Sequence, residues 1–154
     1  MIEALWAALL IAATVHPAAR PLAFLLTVKW ALNYAAFMQG AWAAPVYIDL
    51  TLGAVGIVLA ARAHGRWADV VIAGFVVTPL VHGWFWIQRD IWPPASSVHY
   101  ALIVGVFTAQ AMALGWPGLR SLAEHVLAWL AVRRRGGLAA AAGVDRSRPD
   151  APGS

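Results

Sequence analysis

Five polar side chains sit inside otherwise apolar stretches and set the chemical question: Lys29, Asn33, Asp49, His82 and His99. Lys29 and Asn33 are four residues apart, so a helix places them on one face. A lysine at depth in an apolar medium can line a pore or handle protons, and Asn33 and Asp49 are its candidate companions. Two histidines on neighbouring helices, His82 and His99, have the residue types a b-type haem needs for its axial bonds. Each group also has a plainer role. The favoured one for Lys29 is snorkelling, with its stem buried and its ammonium reaching an interface while Asn33 bonds a neighbouring helix. For Asp49 it is solvation at the membrane surface, and for each histidine a hydrogen bond within the bundle or contact with headgroups. Lys29 lies roughly 12 Å from one end of its span and Asp49 about 6 Å from the opposite face. A direct Lys29–Asp49 pair would therefore need tilt or a bridging water and is not expected.

Other chemistry has no carrier. With no Cys there is no disulfide, iron–sulfur cluster, Cys-ligated zinc or covalently attached haem. HExxH, GxSxG, a P-loop and GxGxxG are absent, and the spans offer too few convergent polar groups for an enzyme site. His16, His64 and His125 fall near predicted interfaces. The expectation is a protein that is not an enzyme, with no metal and no cofactor, b-type haem being the one alternative.

The elements that must position these groups are membrane spans. Hydrophobic residues make up 62% of the 154 and charged ones 12%, about half the charge of an ordinary soluble domain. The stretch Leu22 to Trp42 would reach roughly 30 Å as a helix, the thickness of a hydrocarbon core. Spans are expected at about 2–16, 21–43, 46–63, 67–88 and 97–116. The first of these is short, with an interfacial helix as its alternative. Proline at 79 frees the Phe75 carbonyl and should kink the fourth span. Pro117-Gly118 should end the fifth. Residues 119–135 read as an amphipathic helix too short to span, lying along the interface, and 136–154 as a disordered tail. The fold class is an all-α integral membrane protein, a bundle of four or five transmembrane helices with a C-terminal amphipathic helix.

Arginine placement orients the bundle. Arg20, Arg62, Arg66, Arg120, Arg133 to Arg135, Arg146 and Arg148 fall on one side, and Arg89 alone on the other. The positive-inside rule puts the first group in the cytoplasm, hence an outside N-terminus and a cytoplasmic C-terminus in a bacterial inner membrane. The net charge of +4 is explained by this topology, so nucleic acid is not an expected partner. Trp42, Trp67, Trp86, Trp92 and Trp116 fall near the predicted interfaces. Gly53 and Gly56 form one small-residue stripe and Ala101, Gly105 and Ala109 another, each suited to close helix packing within the chain or between copies. Arg133 to Arg135 suffice as a topology anchor and can also attract anionic headgroups.

Short apolar spans, the Lys29-Trp30-x-x-Asn33 stretch and the basic end at Arg133 to Arg135 together resemble small multi-span proteins of phages and prophages, some of them holins. That resemblance implies a non-enzymatic, self-associating inner-membrane protein whose partners are the bilayer and further copies. It transfers no functional residue, and five spans exceed the usual holin count. The competing expectations are a haem-binding electron-transfer anchor, an ion or proton pathway, and an accessory subunit of a larger membrane complex.

Overall fold

The structure is a computed structural model and describes residues 2–41, 43–92 and 95–145, with side chains through residue 134. Its elements are α1 (Ile2–Ala13), α2 (Arg20–Met38), α3 (Ala44–Ala61), α4 (Arg66–Gln88) and α5 (Ala95–Asp145). Four of them, α2 to α5, are long and apolar enough to cross a membrane. Short connections make consecutive long helices antiparallel, with positive φ at Gly40 (68°) and Gly65 (126°) turning the chain at opposite ends. One end of the bundle carries Arg20, Arg62, Arg66 and Arg120; we call it the basic end and its opposite the far end.

α1 is the short element. Twelve residues rise only about 18 Å, well under a bilayer core. It instead runs alongside the basic half of α5. Trp6 donates Nε1–H to Thr108 Oγ1 at 3.0 Å and meets the Phe107 ring edge-on at 4.6 Å. A Cβ placed at Gly118 would overlap the Ala12 carbonyl, so the two backbones touch where α1 ends.

Glycine governs the other packings too. A Cβ at Gly56 would overlap the Phe75 ring, and one at Gly53 would lie 3.5 Å from the Phe75 carbonyl oxygen. That carbonyl is the one Pro79 leaves without its helical donor. α4 nonetheless runs unbroken from Arg66 to Gln88 with Pro79 inside it. Gly74 makes room for Gln110 of α5, which is fully buried and donates Nε2–H to the Val71 carbonyl at 3.0 Å. Leu22, Leu26, Val71, Phe75, Phe107 and Leu114 fill the interior. Large apolar side chains such as Phe24, Leu50, Val58, Leu80, Tyr100 and Met112 point outward. An apolar rim around a core sealed by small residues suits lipid as the surrounding solvent.

Two boundaries differ from expectation. α2 ends at Met38 rather than near 43, as Gly40 turns the chain. α5 passes straight through Pro117 and Gly118 and is helical to Asp145, so the helix expected at 119–135 is continuous with the last span. Pro117 is tolerated because it costs only one backbone bond in a helix otherwise complete on both sides. The interfacial position expected for Trp42 and the tail from residue 146, with Arg146 and Arg148, lie outside the described residues.

Candidate functional site

All five polar residues converge on one network. Asn33 is five residues from Met38, Asp49 five from Ala44, His82 six from Gln88 and His99 four from Ala95. Each therefore lies roughly 6–9 Å from the far end, on a different helix, at a common level. Asp49 is the hub and is 1% exposed. Its Oδ1 accepts a hydrogen bond from Asn33 Nδ2 at 2.8 Å and faces Lys29 Nζ at 3.3 Å. Its Oδ2 is 2.8 Å from His82 Nε2. The remaining nitrogen of that ring, Nδ1, is 2.9 Å from His99 Nε2. The chain Lys29–Asp49–His82–His99 thus links α2, α3, α4 and α5 through contacts of 3.3 Å or less.

The direct Lys29–Asp49 pair corrects the expectation against one, and with it the readings of Lys29 as snorkelling and Asp49 as solvated at the surface. Early termination of α2 is the reason. Measured from the far end, it brings the axial offset between the two residues from about 15 Å to roughly 6 Å, which an extended lysine side chain covers. Lys29 is 4% exposed and its ammonium lies 5.5 Å from the Phe75 ring centroid. That contact supports the charge from its apolar side.

With Asp49 ionised and both rings neutral, the hydrogen bonds fix the histidine tautomers. An ionised Asp49 only accepts, so His82 Nε2 donates. In neutral His82, Nδ1 then accepts from His99 Nε2–H, leaving the lone pair on His99 Nδ1. His99 stacks on Phe85, with ring centroids 4.3 Å apart. Towards the basic end the network stops at Lys29, and Leu22, Leu26, Val71 and Phe75 close the interior beneath it.

This arrangement does not fit a haem held between His82 and His99. Axial ligation needs a free nitrogen from each ring with the macrocycle between them. Both nitrogens of His82 are engaged, and the ring centroids are 4.9 Å apart. Among the described residues, no group of three or more His, Asp or Glu is placed to hold a metal ion.

Gly53 and Gly56 are buried between α3 and α4, so that stripe serves packing within the chain. Ala101, Gly105 and Ala109 face outward, and nothing lies within 4 Å of a Cβ built at Gly105. Sequence reasoning passed over Gln110, whose Oε1 is buried without a partner beside the core. An amide in the middle of an apolar span was its signal. Phe85 and Phe75, which flank the two ends of the network, carry no sequence mark that separates them from other aromatics.

The fold and site define a small polytopic helical membrane protein with an intramembrane charge network. Comparison with protein-family models, curated proteins and solved structures found no match to this chain.

Proposed function

We propose that this protein is non-enzymatic and takes up protons from its far end, passing them through His99 and His82 to Asp49. The observation that carries this reading is the unbroken hydrogen-bonded relay ending on a carboxylate paired with a buried lysine. A proton bound at His99 Nδ1 lets His99 release its Nε2 proton to His82 Nδ1. His82 in turn gives its Nε2 proton to Asp49 Oδ2. One proton enters and ends on Asp49, and Lys29 loses its counter-ion. The apolar layer around Phe75 keeps this branch closed towards the basic end. The positive-inside rule sets that end in the cytoplasm of a bacterial inner membrane and the uptake face outside.

The test is infrared difference spectroscopy of the reconstituted protein, following the protonated-carboxyl band. A step from about pH 7 to about pH 2, across and below the ordinary carboxylate range, should raise a band that Asp49→Asn abolishes. His99→Phe keeps the stacking on Phe85 and should slow the rise at least about tenfold, the scale of a lost proton-transfer group. A band that survives Asp49→Asn, or rises equally fast in His99→Phe, would overturn the proposal.

The holin-like reading of a self-associating protein, or one joining a larger complex, keeps one specific support. The outward stripe Ala101, Gly105 and Ala109 lets a second backbone approach α5 closely.

A further inference from the structure

The basic end holds a second constellation, unconnected with the network. Three segments meet around an open polar cavity of about 490 Å³: the α1–α2 turn, the α3–α4 turn and α5. His16, His64, Arg66 and Arg120 line it, with Trp67 and Trp116 on its walls. Arg66 makes no ion pair with any described residue. Arg120 shares its charge with Glu124, the one acidic residue on the lining, through an Nε–Oε1 contact of 2.9 Å. The Nδ1 of His16 is buried with no hydrogen-bond partner. The cavity also meets the start of α4, where Gly65 caps the helix without a side-chain hydrogen bond. Asp69 of the first helical turn is not on the lining.

We propose that this cavity binds the phosphate of an anionic phospholipid headgroup. Guanidinium groups, imidazoles and an uncapped helix start all favour a negatively charged oxygen donor set. A lipid is favoured over a free phosphate by position. The cavity lies at the basic end, where α3 ends and α4 begins, and indoles such as Trp67 and Trp116 prefer the headgroup level. The site is separate from Arg133 and Arg134, which lie further along α5 and do not line the cavity.

The test uses the detergent-purified full chain and reads lipid retention by native mass spectrometry, with phosphatidylglycerol, phosphatidylcholine and inorganic phosphate as probes. Phosphatidylglycerol should be retained in preference to phosphatidylcholine, and inorganic phosphate should compete weakly. Arg66→Gln should weaken that preference about fivefold and Arg66→Gln/Arg120→Gln further, the scale of one basic side chain per step at an anionic surface. Unchanged unfolding of the lipid-free variants would separate this loss from misfolding. Equal retention of the two lipids would overturn the proposal. So would a preference abolished only by neutralising Arg133 and Arg134. Competition by inorganic phosphate as strong as that by phosphatidylglycerol would overturn the lipid assignment and point to a soluble phosphate compound.

Discussion

Removing the charges of Lys29 and Asp49 singly and together tests whether the central ion pair is real. At 3.3 Å, two unit charges in a medium of effective dielectric about 20 attract by about 5 kcal/mol before desolvation. Desolvation offsets much of this, so the pair as a whole adds little stability, but stranding either partner costs about 3–5 kcal/mol. Lys29→Met leaves Asp49 ionised with only Asn33 and His82 as donors. Asp49→Asn preserves the hydrogen bonds if both histidines exchange tautomers, yet strands the ammonium. Each single variant should therefore lose about 3–5 kcal/mol. The double variant has no charge to strand and should lose no more than the worse single, a coupling of about 3 kcal/mol. Reversible unfolding in mixed micelles, followed by tryptophan fluorescence, supplies the measurement. Additive losses, with coupling below about 0.5 kcal/mol, would refute the pairing and restore a snorkelling Lys29.

Packing predictions follow from the glycines. Gly74→Ala drives a methyl into Gln110 and Gly56→Ala drives one into the Phe75 ring, so each should lose about 1–3 kcal/mol in the same unfolding assay. Gly105→Leu meets nothing in the chain and should leave that stability within about 0.5 kcal/mol. If copies associate through α5, it should also lower the oligomer fraction seen by light scattering, and an unchanged fraction would remove that stripe as an interface.

Composition and arginine placement made the helical bundle legible, because a chain so apolar and so short has no soluble core large enough to hide its helices. The residues of the site were legible as types, since Lys29, Asn33, Asp49, His82 and His99 interrupt apolar runs. Their convergence was not. Depth along a span is counted from its end, and the end of α2 depends on where Gly40 adopts positive φ, which no apolar pattern marks. An error of five residues there is roughly 7 Å, enough to separate a salt bridge on paper. The continuity of α5 was hidden for a related reason. Pro117-Gly118 reads as a helix stop, but the backbone of α1 packs against Gly118 and holds the strand of chain in register as helix.

The same count explains why the network sits where it does. Asn33, Asp49, His82 and His99 are each four to six residues from the far end of their helices, so four independent spans deliver one polar side chain to one level. Lys29 alone is deeper, nine residues from Met38, and reaches up to that level. A network meant only to hold helices together needs donors and acceptors in matched pairs and no order among them. Here the contacts run in one order across that level: from His99, through His82, to a carboxylate whose charge is balanced from below by Lys29. Reversing the two histidine roles would break it, since Asp49 can accept only from the ring that His99 feeds. The double-variant cycle measures the pairing at the inner end of this chain and the infrared experiment measures traffic along it. If the coupling is present while the carboxyl band does not move, the network is a structural fastening and the proton-uptake reading fails on its own.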